Sequence, residues 1–256
     1  TNPDDAVVAC RAGANLIGVI FAEKSKRRVN AEKALAVSKA VRSFGERSTR
    51  LDFHSFPDQA LSPLAHLAAS AAALARHTSQ RPAVVGVFQN QDPDFIRRMV
   101  EECGLDMVQL HGQEGMEAAN RSNYNGVPVI RVMDIAVDAA TGKASDSAVQ
   151  HVLGAVTNDP AAILLDTSIK GGQEGGGTGV SFDWSIAESV QRAGLPVLVA
   201  GGLTRDTVKE CVGRMRPFGV DVSSGVEKSP GLNDADKVRD FVRGARAAEA
   251  EASKGF

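Results

Sequence analysis

Seven short, almost uninterrupted apolar runs punctuate the chain: Leu16–Phe21, Val84–Phe88, Met107–Leu110, Val129–Val132, Ile163–Leu165, Val197–Ala200 and Val220–Val222. Runs of this length without alternation are what strands buried on both faces require, as in a parallel sheet. Between them lie segments with apolar residues at helical spacing: Ala31–Phe44, Pro93–Cys103, Trp184–Ala193, Thr204–Val212 and Asp234–Ala247. Strand followed by helix, repeated, predicts a parallel sheet with helices outside it. The series opens on a helix, because Asn2 offers a cap, Pro3 suits the first helical position, and Asp4 and Asp5 face the positive end of the dipole. A closed barrel needs one more strand ahead of that helix. The predicted fold is therefore α/β, a (β/α)8 TIM barrel lacking its first strand.

Two stretches interrupt the rhythm. Residues 45–82 occupy a place where two to six residues are usual, so they read as an insertion. Within it, Ser62 as a cap, Pro63, and the alanine-rich Leu64–Arg76 predict a surface helix. Asp134–Ser147 is polar and reads as a loop leading into a short helix. Residues 1–247 form the predicted barrel domain. Residues 248–256 lack a sustained apolar stripe and read as a frayed tail.

Composition narrows the function classes. The 256 residues are 43% hydrophobic and 23% charged with a net charge of −2, ordinary for a globular protein and without the basic field a nucleic-acid partner needs. No run reaches the roughly 18 apolar residues of a membrane span, and Thr1–Asp5 lacks the features of a signal peptide. A cytoplasmic location, with neither membrane nor nucleic acid as partner, is the expectation. Cys10, Cys103 and Cys211 are too few and too scattered for a disulfide framework or a zinc site, and read as buried thiols.

Candidate chemistry gathers where the apolar runs end. Pro196–Ala200 breaks into Gly201-Gly202-Leu203, and Gly219–Val222 breaks into Ser223-Ser224-Gly225. Small residues let several backbone N–H groups approach one oxyanion, and the loops after the last two strands of a barrel are the usual phosphate site. Other polar residues at strand ends are Lys24, Lys26, Arg27, Arg28, Gln109, His111, Arg131, Asp166 and Asp221. Asp166, at the end of Ile163-Leu164-Leu165, is either a general acid whose proton is retained by desolvation or a turn cap. The Lys24–Arg28 cluster is either an anion clamp or a solvated loop. His111 has no partner at ligand spacing and reads as a lining residue, not a metal ligand. The glycine-rich residues 171–179 match neither a Walker loop nor a dinucleotide fingerprint, and read as a lid.

Seven motifs in order carry a family resemblance. They are Gly13–Phe21 with Lys24-Ser25-Lys26-Arg27, Val85-Gly86-Val87-Phe88, Val108-Gln109-Leu110-His111-Gly112, Leu164-Leu165-Asp166-Thr167, Gly176-Gly177-Thr178-Gly179 with Phe182-Asp183-Trp184, Ala200-Gly201-Gly202-Leu203, and Asp221-Val222-Ser223-Ser224-Gly225-Val226-Glu227. Together they resemble phosphoribosylanthranilate isomerases. The insertion and Phe88-Gln89-Asn90-Gln91 look most like fungal versions, in which this domain ends a multifunctional polypeptide for tryptophan biosynthesis; an opening threonine suits such an excerpt.

The resemblance implies an Amadori rearrangement of N-(5-phosphoribosyl)anthranilate to 1-(2-carboxyphenylamino)-1-deoxyribulose 5-phosphate, without metal or organic cofactor. Asp166 matches the family's general acid and Arg27 its ligand for the anthranilate carboxylate. Gly201, Gly202, Ser223 and Ser224 fall where the phosphate is held. The family's general base is a cysteine on the first strand, in a Cys-Gly-Ile-Thr motif whose threonine corresponds to Thr1. That places the base ahead of this sequence, so these residues alone are expected to be impaired. A histidine-pathway ribonucleotide isomerase would need a second phosphate grip, and none is evident around Phe88–Gln91; a non-catalytic barrel domain would not need Asp166 and Arg27.

Overall fold

The computed structural model describes residues 1–53, 61–137, 145, 147–169 and 184–253. Seven strands follow one another in a single parallel sheet in chain order: β1 (Leu16–Ile20), β2 (Ala83–Phe88), β3 (Met107–Leu110), β4 (Val129–Val137), β5 (Ala162–Ile169), β6 (Val197–Val199) and β7 (Gly219–Val220). All pairs are parallel. The helices are α1 (Pro3–Ala12), α2 (Ala31–Phe44), α3 (Pro63–Thr78), α4 (Pro93–Cys103), α5 (Ala148–Ala155), α6 (Trp184–Arg192), α7 (Val208–Met215) and α8 (Ala235–Ser253). The curled seven-stranded sheet with its helices is a TIM-barrel type fold.

Local chemistry explains the ends of these elements. The Asn2 side chain accepts the Asp5 N–H to start α1, and Gly13, with φ +103°, ends it. Asn30 caps α2 in the same way by accepting from Lys33 N–H. Ser62, by contrast, makes no side-chain cap at α3; its carbonyl accepts from His66 N–H. Helix α7 starts at Val208, not Thr204, because Thr204–Thr207 first closes a turn in which the Thr204 N–H donates to Thr207 Oγ1 at 3.0 Å.

Three apolar layers organise the interior. One lies between α1, α2, α4 and the outer face of β1–β3, with Val37, Val41, Val84, Phe88 and Val100 among its members. A second, including Ile163, Leu165, Val197, Val199 and Val208, joins the outer face of β5 and β6 to the later helices. The third fills the inside of the curl with Val85, Met107, Ile130, Val132, Ala162, Leu164, Leu198 and Ala200.

The insertion contributes to that third layer and, through Leu67, to the second. Phe53 and Leu74 pack into the inner cluster, and His66, Leu67, Ser70, Ala71 and Thr78 are also buried. Asn158 Nδ2 donates to the Leu61 carbonyl beside the start of β5, and Asn15 Nδ2 donates to the Thr78 carbonyl at 2.9 Å before β1. Helix α3 thus runs across the N-terminal ends of the strands as a floor, correcting the expectation of a surface helix. Alanine-rich sequences serve close packing as well as exposure, so composition alone could not separate the two.

Two further expectations are corrected. Strand β4 continues to Val137, beyond the predicted Val132 and into the stretch read as a loop, because it pairs residue for residue with β5 as far as Val137↔Ile169. Helix α8 continues to Ser253 and buries Ala248 among the later helices, so most of the predicted frayed tail is helical. A small antiparallel hairpin, β8 (Glu227–Ser229) with β9 (Leu232–Asn233), was not foreseen.

Among the described residues β1 and β7 end the sheet, pairing with β2 and β6, apart from a single bridge between Ile20 and Arg28. A cavity of about 2110 Å³ lies between these two open edges, bounded by Ile17 and Gly18 on one side, Gly219 and Val220 on the other, and Ala6, Ala9, Phe241 and Val242 of α1 and α8. The two edges are held at this separation from outside. Helices α1 and α8 pack together, and Arg246 donates to the Gly13 carbonyl at 3.0 Å and to Asn15 Oδ1 at 2.6 Å.

Candidate active site

Strand parity decides which side chains reach the mouth of the curl. Side chains alternate across a strand, so every second residue shares a face. Met107 on β3, Ile130 and Val132 on β4, and Ala162 and Leu164 on β5 point inward. Continuing those rows by two brings Gln109 and then His111, Asp134, and Asp166 to the C-terminal end. Arg131 has the opposite parity. Its guanidinium is buried and donates to the carbonyls of Leu110 at 2.8 Å, Gly112 at 3.0 Å and Glu114, so it pins the loop after β3 and does not face the mouth.

His111 lies between two carboxylates. Its Nε2 is 3.5 Å from Asp166 Oδ2 and 3.6 Å from Asp134 Oδ1, and the two aspartates are register partners on adjacent strands. Burial favours the neutral imidazole, but the nearby Asp134 carboxylate and the charges of Asp166 and Asp221 outweigh it and raise the pKa of His111 above its ordinary value. Asp221 also lines the cavity, and desolvation there pushes its carboxyl upward against the lowering effect of His111 and the Val222 N–H.

Asp134 was missed in the sequence. The signal was present in the parity of Ile130 and Val132, obscured by the polar residues that follow. Ligand atoms of His111, Asp134 and Asp166 all lie within 4.8 Å of one another, a set that could hold a divalent cation as well as pass a proton. His111 therefore has the acidic neighbours that linear spacing did not reveal.

Facing this cluster are the two small-residue loops. Gly201 and Gly202 have φ of +97° and +65°, which only glycine adopts cheaply. Their N–H groups, and those of Ser223 and Ser224, donate to no acceptor among the described residues. A Cβ at Gly225 would overlap the Leu203 carbonyl oxygen, so this glycine lets the two loops touch. All four predicted phosphate residues line the same cavity as Asp166 and His111.

Arg27 lines it too, joined to Glu227 by two hydrogen bonds, Nε to Oε1 at 2.6 Å and Nη2 to Oε2 at 2.7 Å. Lys24, Lys26 and Arg28 are exposed around it. The structure thus separates one fixed guanidinium from a solvated basic loop.

The three cysteines do not reach this site. Cys10 packs on α1 among Ile17, Val37 and Val41, and all three thiols are buried. Desolvation pushes Cys10 and Cys103 to about 11 and Cys211 to about 12, values that keep them protonated near neutrality. The predicted lid at residues 171–179 lies outside the described residues, as does part of the Asp134–Ser147 stretch.

A family model described as N-(5'phosphoribosyl)anthranilate (PRA) isomerase matches residues 46–244. The chain is 41% identical over 248 residues to the tryptophan biosynthesis protein TRP1 of Phytophthora nicotianae, covering 96% of this chain and 45% of that protein. It is 36% identical over 253 residues to the multifunctional tryptophan biosynthesis protein of Phycomyces blakesleeanus, covering 94% of this chain and 31% of that one. The chain therefore spans less than half the length of these two relatives. Its fold matches the crystal structure of phosphoribosyl anthranilate isomerase from Thermotoga maritima with a TM-score of 0.69 and 28% identity, covering 96% of this chain and 95% of that one. With the motifs and fold in agreement, the chain belongs to the N-(5'-phosphoribosyl)anthranilate isomerase family of tryptophan biosynthesis.

Proposed function

We propose that the mouth binds N-(5-phosphoribosyl)anthranilate and carries out its rearrangement to 1-(2-carboxyphenylamino)-1-deoxyribulose 5-phosphate. The observation that carries this reading is the placement of Asp166, with His111 3.5 Å away, in one cavity with two loops whose Gly201, Gly202, Ser223 and Ser224 N–H groups have no acceptor among the described residues. The phosphate accepts from Gly201, Gly202, Ser223 and Ser224, and the anthranilate carboxylate meets Arg27. Asp166, as general acid, gives a proton to the ribose ring oxygen as the C1′–O bond opens and the nitrogen lone pair forms the C1′=N bond. Removal of the C2′ proton then yields the enamine, whose enol tautomerises to the ketose. His111, held between Asp134 and Asp166, fixes the position of the acid.

A base for the C2′ proton is still required, and the positions of Cys10, Cys103 and Cys211 support none of them in that role. The open edges of β1 and β7 support a further strand between them, and the family resemblance implies a cysteine at its C-terminal end as the source of the base. An arrangement in which that strand belongs to upstream sequence, fused to other tryptophan-pathway domains in the cytoplasm, is consistent with the length of the two relatives. Among the described residues no helix is long and apolar enough to cross a membrane.

The test is isomerase turnover, followed by loss of the anthranilate adduct's fluorescence, for residues 1–256 and for a polypeptide extended upstream by one strand. Turnover only in the extended form is expected. Equal rates in both contradict the proposed source of the base.

A further inference from the structure

Arg27 is one of four cations after β1, and among the described residues it is the one paired with a carboxylate. Both oxygens of Glu227 hold it along the Nε and Nη2 edge, at 2.6 and 2.7 Å. The Arg27 side chain is 28% exposed and the Glu227 side chain 8%, so the carboxylate is the buried anchor and the guanidinium the group presented. Glu227 is itself restrained. Its Oε1 accepts from Gly231 N–H at 2.8 Å and its carbonyl accepts from Lys237 Nζ at 2.9 Å. The hairpin it opens is tied to α1 through the Asn233 N–H, which donates to Asp5 Oδ2 at 3.1 Å.

Resting on the reading of Arg27 as the carboxylate ligand, we propose that Glu227 is a positioning residue for substrate recognition: it occupies one edge of the guanidinium so that the other edge, bearing Nη1, is presented to the anthranilate carboxylate. A guanidinium offers five donors in a rigid fork, so committing two of them leaves a second bidentate edge in a fixed plane. The pair is locally neutral, and Lys24 and Lys26 line the same cavity. Arg27 therefore contributes geometry where the lysines contribute charge. Burial works against the ionisation of Glu227, but the hydrogen bonds from Arg27 and Gly231 outweigh it and hold the pKa below the usual glutamate range, so the pairing persists at neutral pH.

This arrangement also ties the two halves of the ligand together. Glu227 immediately follows the turn Ser224–Val226. The residue that aims the carboxylate ligand and the loop proposed to hold the phosphate thus share one short segment, so their separation is set by local backbone and not by domain motion.

The experiment measures binding to the full natural chain of two compounds: the reduced form of the product, 1-(2-carboxyphenylamino)-1-deoxyribulose 5-phosphate, and its anilino counterpart without the carboxylate. Glu227→Gln keeps an acceptor for Gly231 but loses the charge-assisted fork. It is expected to weaken the carboxylated compound about 10-fold, a plausible share of a charge-assisted bidentate contact, and to leave the anilino compound unchanged. Equal weakening of both compounds, unchanged binding of both, or tighter binding of the carboxylated one overturns the proposal. If Glu227→Gln does not fold, Glu227→Asp, which keeps the charge but shortens the reach, is subjected to the same comparison. Arg27→Gln separates the two layers. If it leaves discrimination between the compounds intact, the reading of Arg27 fails and the proposal with it. If it abolishes discrimination while Glu227→Gln preserves it, only the role of Glu227 fails.

Discussion

The two ends of the barrel use the same residue types for opposite purposes. At the floor, Asp106 is fully buried and receives four hydrogen bonds: Arg47 Nη1 and Nη2 at 3.0 and 2.6 Å, and the N–H groups of Leu51 and Val84 at 2.8 Å each. At the mouth, Asp166 and Asp134 have partly exposed side chains and flank one histidine at 3.5 and 3.6 Å. A buried carboxylate surrounded by donors holds structure together. Carboxylates grouped around an imidazole in an open cavity are placed where a substrate could exchange protons with them. The difference lies in the supply of donors, not in the amino acid.

The contrast can be broken most severely at the floor. Asp106→Ala removes the acceptor from a buried guanidinium and two backbone N–H groups, and is expected to cost about 3–5 kcal/mol of stability. Denaturant unfolding measures this; a loss under about 1 kcal/mol would show that the floor is not held as described. Turnover per folded molecule is expected to change little, because Asp106 does not line the cavity.

A smaller effect sharpens the picture of the mouth. The pKa of His111 is raised above its ordinary value against the effect of burial, with the neighbouring Asp134 carboxylate as the leading cause acting in that direction. The imidazolium contribution to stability is therefore complete below the unfolded value and is lost as pH rises through the folded one. Asp134→Asn should lower the His111 pKa, observed by NMR titration of the imidazole, with little change in melting temperature. An unmoved titration would remove Asp134 from the cluster.

Most of the fold was legible because parallel strands buried on both faces leave uninterrupted apolar runs, and Met107–Leu110 and Ala31–Phe44 match their elements residue for residue. The floor was not legible. Phe53 and Leu74 lie in a segment whose local composition suits a solvent-facing helix equally well, and only contact with the inner layer decides its place. At the mouth, Asp166, Arg27 and the two small-residue loops, which stand in the sequence where apolar runs end, line one cavity. Asp134 was hidden because β4 outruns its apolar stretch, held by pairing to β5, which is a tertiary effect. Glu227 stands within a visible motif, but its partner Arg27 lies 200 residues away in sequence.

The central claim is that the mouth does chemistry and the floor does not, and Asp166→Asn tests it most directly. In the full natural chain, turnover is expected to fall by about 10²–10⁴-fold, the usual contribution of a positioned general acid, while the melting temperature stays the same or rises and the reduced product still binds. Turnover within a few-fold of the unsubstituted protein would contradict the assignment of Asp166 as the acid.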